Sequence, residues 1–458
     1  MTPALHTTEV KIPGFTTYEH QLTVPLDHKG TLLSESERTQ LPATIRVFAR
    51  EYVRDGGAEL PRLVYFQGGP GSPSPRPEPV GGFVECLLEK YRVLLLDERG
   101  TGLSHALDAT VVTDVGTPEL QAAYLSCFRA DSIVDDAEAL RIALQGEEPW
   151  STLGQSFGGF CITTYLSRAP QGLKEAMITA GLPSVDRSAT DVYERTWEQT
   201  EQRNREFFDR YPEDEATCWK IVQHLADVKE FLPTGERLTP RRFRMIGISL
   251  GWSYGLEKLH HLLEDPFVEI GGKTKLRGRF LVSMGEQLSF GGSPLYWALH
   301  ESIYAQCSSG ATEWAANRVR QTLPQFHVPD IHLGSAGEKE LEEQMQRSGF
   351  GFRFSGEHVF PWQGEEDPAL VGLAPATELL AQRADFPALH DAQVLAQNSV
   401  PVAAWIYRND MFVPFEVSME TANRIRGLVP LISEDYHHDA LRTDSARVVG
   451  ELLKALHD

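Results

Sequence analysis

A serine set between glycines, where an extended run gives way to a helical one, constrains this chain more than any other feature. The stretch Trp150-Ser151-Thr152-Leu153-Gly154-Gln155-Ser156-Phe157-Gly158-Gly159 carries the pattern G-x-S-x-G. A residue at so sharp a strand-to-helix turn is forced into strained backbone angles, and its hydroxyl stands clear of its neighbours. Gly154 and Gly158 have no Cβ, so other chain segments can pass close on either side. Phe160 to Leu166 reads as a buried helix whose N-terminus points at Ser156, where its dipole favours developing negative charge. The same pattern also fits a glycine-rich turn before a packed helix, and the rest of the chain has to decide between the two.

The surroundings have the texture of a sheet. Gln21–Leu26 and Ala43–Arg50 alternate apolar and polar residues, as half-buried strands do. Arg62–Phe66 and Tyr91–Leu96 are short continuous apolar runs, suited to buried parallel strands. Ser132 to Leu144 has helical spacing, with Ile133, Ala137, Leu140 and Leu144 on one face. Strands alternating with helices predict an α/β sheet covered on both faces. From about Arg187 the texture changes to aromatic, Glu- and Arg-rich helical segments, read as a mainly helical insertion, or cap. Near Ser399 the sheet texture returns with Val400–Tyr407, and a helix over Ser445–Leu456 closes the chain. The expected division is a core over 1–186 and 396–458, with the cap over 187–395.

A length of 458 residues suits one large catalytic domain with an insertion, or two domains. Hydrophobic content of 41% and charged content of 23% are those of a soluble globular protein. No run approaches the roughly 18 apolar residues that cross a bilayer, and the N-terminus lacks a basic segment followed by an apolar one, so neither membrane nor secretory signal is expected. Cys86, Cys127, Cys161, Cys218 and Cys307 form no C-x-x-C pair and read as reduced thiols of a cytoplasmic protein. A formal charge of −21 repels a phosphate backbone, so nucleic acid is not an expected partner. The same charge favours cationic ligands such as a free amino terminus, besides serving solubility.

An activated serine needs a base to take its proton and an acid to orient that base. In this architecture they follow in the chain order serine, acid, histidine. Asp410 lies just after a late strand, and Tyr436-His437-His438-Asp439 lies before the final helix. Both histidines compete for the role of base, with His438 favoured over His437. Asp435 and Asp439 are alternative acids, although sequence neighbours of a histidine rarely reach its far ring nitrogen. The oxyanion needs two N–H donors. One is expected from Phe157 and the other from Gly69, in the loop Gln67-Gly68-Gly69-Pro70-Gly71-Ser72. Arg99 and Asp97 are read as braces for a loop beneath the site. The scheme needs no metal or other cofactor, and no motif for either is present.

Together, Phe66-Gln67-Gly68-Gly69-Pro70-Gly71, Asp97-Glu98-Arg99-Gly100-Thr101-Gly102-Leu103-Ser104 and Gly154–Gly159 resemble the prolyl aminopeptidases (proline iminopeptidases) of the α/β-hydrolase fold. The similarity extends to Val24–His28, to the Asp410 loop and to His438–Arg442, and so spans nearly the whole chain. It implies an α/β-hydrolase core, its mostly parallel sheet covered by helices on both faces, with a helical cap inserted between core strands. It also implies a serine exopeptidase that removes an N-terminal residue, preferably proline, from peptides with a free amino terminus. Carried over, Ser156 is the nucleophile, Asp410 the orienting acid and His438 the general base. The family's glycine-proline loop usually opens with histidine where this chain has Gln67, which leaves the backbone donors intact but not a histidine side chain.

Such an enzyme must also recognise a charged amine, and carboxylates facing the nucleophile from the cap would do so. Glu301, in Pro294–Tyr304, and Glu357, in Phe354–Trp362, fit the family's pattern of cap glutamates, with Glu286 a weaker third. Both sit among aromatics suited to a proline ring, where a carboxylate is costly unless paired with a cation. An esterase or amidase of broader specificity on the same scaffold is the alternative reading.

Overall fold

Runs that are apolar throughout must be covered on both sides, and in the computed structural model alternate residues of each run do face opposite layers. Residues 5–77, 80–306, 308–326 and 337–457 are described, so Cys307 lies outside them. One sheet of nine strands contains β1 (Leu5–Ile12), β2 (Phe15–Pro25), β3 (Thr44–Arg54), β4 (Arg62–Phe66), β5 (Arg92–Asp97), β6 (Trp150–Gln155), β7 (Leu173–Thr179), β8 (Val402–Tyr407) and β9 (Leu428–Ser433). Their spatial order is β1-β2-β3-β5-β4-β6-β7-β8-β9. From β5 to β9 every neighbouring pair is parallel. The β1–β3 ribbon joins antiparallel at β5.

Leu63, Tyr65, Val93 and Leu95 pack with Val84, Leu87, Val448 and Leu452 of the helices Gly82–Leu87 and Ser445–His457. Val64, Phe66, Leu94 and Leu96 face the opposite layer. There they meet Ile133, Ala137, Leu140, Phe160 and Ile162 of the helices Ala130–Gln145 and Phe157–Arg168. The expected covering of both faces is therefore observed. Parallel register sets Phe66 beside Gly154 and Gln155 beside Thr179, so the ends of β4, β6 and β7 open at one edge. Tyr407 pairs with Ser433, which brings the ends of β8 and β9 to that same edge. Ligands bind at this edge of open parallel sheets.

Between β7 and β8 the chain is mainly helical, beginning with the long helix Ala189–Arg210 and including Glu213–Asp227, Gly255–Leu263, Gly278–Leu288, Pro294–Leu299 and Ala315–Thr322. Two short antiparallel hairpins interrupt the helices, pairing Glu230–Phe231 with Arg237–Leu238 and Phe267–Ile270 with Lys273–Leu276. Gly271 and Gly272 take φ of 60° and 70°, the conformation of a two-residue hairpin turn, which a helical reading of this stretch passes over. Strands β1, β7 and β9 also lie outside the sequence expectations. β1 is exposed along nearly its whole length, and β9 carries a proline and is buried only at Ser433, so neither shows a buried apolar pattern. Among the described residues no helix is long and apolar enough to cross a membrane.

Glycines set how closely these layers approach. A Cβ on Gly158 would lie 2.1 Å from the Phe66 carbonyl oxygen, so the helix could not sit so near β4. We expect Gly158→Ala to lower stability by about 1–3 kcal/mol, as overpacking does. Gly450, inside the last helix with nothing within 4 Å of such a Cβ, should behave oppositely. Gly450→Ala should add up to about 1 kcal/mol through helix propensity. Denaturant midpoints of the two variants check both signs.

Candidate active site

Ser156 closes β6 and precedes the helix Phe157–Arg168, with φ of 84° and ψ of −118°. A side chain at this angle is strained, and close backbone packing holds it there. A Cβ on Gly154 would meet the Gly158 carbonyl oxygen at 2.4 Å, and one on Gly181 the Ser156 carbonyl oxygen at 2.5 Å. The hydroxyl is consequently turned away from the strand and toward the loops at the carboxyl edge of the sheet.

Two of those loops supply its partners. Ser156 Oγ donates to His438 Nε2 at 2.9 Å. His438 Nδ1 donates to Asp410 Oδ2 at 2.9 Å and Oδ1 at 3.1 Å. Asp410, just past β8, also accepts the backbone N–H groups of Phe412 and Val413 at 2.8 and 3.0 Å, which fix its carboxylate. Exposure falls from 9% at Ser156 to 2% at His438 and 1% at Asp410. The imidazole packs edge-on against Phe412, with ring centroids 4.8 Å apart, and against Trp252 at 5.9 Å. Gln155 Nε2 donates to the His438 carbonyl oxygen at 3.2 Å and ties this loop to the serine turn.

Burial opposes a charge on His438, but the Asp410 carboxylate beside it wins and raises its pKa above the ordinary value. His437 takes no part in the chain of hydrogen bonds, and its Nδ1 is buried without a partner. Asp439 Oδ1 accepts from the N–H and hydroxyl of Ser253 at 2.9 and 2.6 Å. Of the two histidines and three aspartates considered, His438 and Asp410 are the pair brought to Ser156.

The glycine-proline loop runs beside the same serine. A Cβ on Gly68 would lie 3.0 Å from the Gln155 carbonyl oxygen and 3.1 Å from Ser156 Cβ. Tyr65 donates to the Gln67 side-chain oxygen at 2.9 Å, so the side chain standing in place of histidine is anchored to β4. Phe157 opens the helix, and a first-turn N–H has no carbonyl four residues back to bind. Behind this loop, Asp97 accepts from Ser74 N at 3.1 Å and Leu103 N at 2.9 Å. Arg99 donates to Asp136 and to the carbonyls of Leu26 and Cys127. Both therefore brace loops, as read from the sequence.

The cap contributes carboxylates in two different states. Glu301 Oε2 and Oε1 accept the N–H groups of Ala315 and Ala316, each at 3.0 Å, at the start of the helix Ala315–Thr322. Glu357 is partly buried, and its Oε1 accepts from the Tyr296 hydroxyl at 2.6 Å. Burial pushes both up to about 7, against the Ala316 and Ala315 amides at Glu301 and against the influence of His438 at Glu357. Tyr304 lies within electrostatic reach of Glu357, Asp410 and Glu301, and its ring packs against Phe160 and Tyr193. Glu286 is exposed on the helix Gly278–Leu288. Tyr296, Trp252 and Phe412 were not singled out in the sequence. Tyr296 and Glu357 are 61 residues apart, and no local pattern marks their contact.

The cap is seated directly on the glycine loops. Leu295 Cβ lies 2.7 Å from where a Cβ on Gly71 would be, and Leu295 Cδ1 2.6 Å from one on Gly100. Ser72 and Ser293 hydroxyls meet at 3.3 Å across this seam.

The imidazole offers a direct electrostatic check. In Asp410→Asn the stronger of the two carboxylates that raise the His438 pKa is gone while burial and Glu357 remain, so the pKa should fall from its raised value. Imidazole NMR titration of the two proteins reads the sign.

Comparison with known proteins places this geometry. The family described as "alpha/beta hydrolase fold" matches residues 61–251. A protein named proline iminopeptidase, from Aeromonas sobria, is 40% identical over 441 residues, 96% of each chain. Another, the proline iminopeptidase aneH of Aspergillus aculeatus, is 31% identical over 450 residues, 96% of this chain and 94% of the relative.

Proposed function

This chain belongs to the proline iminopeptidase family, and on that premise we propose that it releases N-terminal proline from peptides with Ser156 as nucleophile, His438 as general base and Asp410 as orienting acid. It is a serine hydrolase related to those enzymes. One observation carries the assignment of roles, the unbroken hydrogen-bonded chain from Asp410 through His438 to a serine held at φ of 84°.

Ser156 Oγ attacks the carbonyl carbon of the first residue as its proton passes to His438 Nε2. The resulting oxyanion accepts from the N–H groups of Phe157 and Gly69, near the helix N-terminus, where positive dipole charge is concentrated. Asp410 stabilises the imidazolium and holds its tautomer. His438 then gives its proton to the departing amine, the shortened peptide leaves, and the acyl group stays on Ser156. Water, activated by His438, releases the free amino acid and restores the serine.

Selection of a free amino terminus is assigned to Glu357. Its carboxylate is held by Tyr296 and acts electrostatically on His438, which supports a role in binding an ammonium next to the scissile bond. Glu301 has both oxygens committed to the backbone amides of Ala315 and Ala316, and so is not the group assigned to the amine. Tyr193 and Tyr304 pack ring to ring at 5.6 Å and Tyr296 holds Glu357, an aromatic setting suited to an apolar ring, and an internal peptide segment would leave Glu357 without a cation. Cys86, Cys127, Cys161 and Cys218 are unpaired, which supports a reducing, cytoplasmic setting.

Arylamides of proline, alanine and leucine, each with free and acylated amines, test this reading. Free proline arylamide should be the preferred substrate, with Ser156→Ala slower by roughly 10⁴-fold or more. Glu357→Gln should lose about 10–100-fold in kcat/KM on free amines, the worth of a hydrogen bond to a charged group, and far less on an ester without an amine, where only its influence on His438 is lost. Equal cleavage of blocked and free compounds would instead establish the broader esterase or amidase.

A further inference from the structure

Glu98 lies under the glycine-proline loop and has no place in the mechanism above. It follows β5 and is 1% exposed, and neither carboxyl oxygen has a hydrogen-bond partner. Its charged neighbours in sequence are both committed elsewhere. Asp97 is bound to Ser74 N, Leu103 N and Arg76, while Arg99 is bound to Asp136 and backbone carbonyls.

The groups facing Glu98 come from four elements, and none is a cation. The backbone N–H of Gln67, in the loop after β4, lies nearby but not at hydrogen-bonding geometry, and β5 offers the Asp97 carboxylate, which repels a second negative charge. The helix behind Ser156 presents the Cys161 thiol, and β4 presents the Tyr65 phenol, itself within reach of Arg442. A carboxylate without a counter-ion or strong donors cannot persist in such a place, so the acid is neutral there. Burial accordingly raises the Glu98 pKa well above the ordinary carboxylate value.

We infer that Glu98 is a positioning residue whose uncharged carboxyl supports the end of β4, from which Gly68 and Gly69 reach Ser156. Its neutrality matters as much as its volume. Gln67 immediately precedes the two glycines, so an anion beside its N–H would stand behind the loop that receives the oxyanion. Ionisation of Glu98 would oppose that second negative charge and pull the loop toward solvent. The inference rests on the reading of Gly69 as an oxyanion donor.

The test measures kcat against pH for the wild type, Glu98→Gln and Glu98→Ala. The substrate is an activated ester without an amine, because a substrate α-amine has an alkaline titration of its own. Glu98→Gln, neutral and of the same shape, should keep kcat within about twofold near pH 7. The wild type should lose about tenfold in kcat per pH unit beyond the Glu98 ionisation, with KM unchanged, and Glu98→Gln should lack this alkaline limb. Glu98→Ala should be slow at every pH, so that glutamine rescues what alanine loses. Infrared difference spectra at neutral pH should show a protonated carboxylic acid in the wild type that is missing from Glu98→Gln. This readout holds even where Glu98→Ala does not fold.

An alkaline limb that survives in Glu98→Gln, or the absence of the protonated acid band, would overturn the inference. Failure of the exopeptidase reading shows itself separately, as indifference to a free amine in the arylamide series, while the ester profile and the infrared band still decide Glu98.

Discussion

The close approach of backbones around Ser156 is the constraint from which the rest of the site follows. Gly154, Gly158, Gly159 and Gly181 lie where a Cβ would overlap a carbonyl oxygen or another backbone atom. Their absence of side chains lets β4, β6 and the following helix converge within one turn of chain. That convergence holds Ser156 at a positive φ and turns its hydroxyl out of the sheet. It also brings Gly68, just past β4, against Ser156 Cβ, so the serine and the glycine loop are placed by the same contacts. Parallel register then delivers Asp410 and His438 from β8 and β9 to the same edge.

Electrostatics built on this frame work by contrast of environments. Asp410 is buried but amply supplied with N–H donors, which hold its carboxyl against His438. Glu357 has a single phenol donor among aromatics and is pushed up to about 7 by burial. Its charge also helps hold a proton on His438. In the proposed complex an ammonium bound at Glu357 withdraws that influence, leaving the imidazole readier to shed its proton when substrate is seated. In that proposal recognition and base strength are linked through one carboxylate. The docking of Leu295 against Gly71 and Gly100 joins the cap to the glycine loop mechanically as well.

Much of this was legible in the sequence because it is local. The serine elbow, the apolar runs of β4 and β5, and the positions of Asp410 and His438 after late strands are all marked within a few residues. The two cap glutamates could not be told apart in that way. The helix Ala315–Thr322 has no side-chain cap of its own, and Glu301 supplies acceptors from fourteen and fifteen residues upstream. Tyr296 meets Glu357 across a longer gap still. Strands β1 and β9 escaped notice because they bury little, and periodicity reports burial rather than pairing. The Gly271-Gly272 hairpin was marked locally, but the surrounding helical texture outweighed it.

The central claim is that the packing at the elbow makes Ser156 a nucleophile served by His438. Treatment with a fluorophosphonate, followed by intact mass and peptide mapping, tests it most directly. The account predicts one adduct per chain, on Ser156, formed at least about 10³-fold more slowly in His438→Ala. An adduct on another residue, or labelling of Ser156 at an undiminished rate without His438, would contradict it.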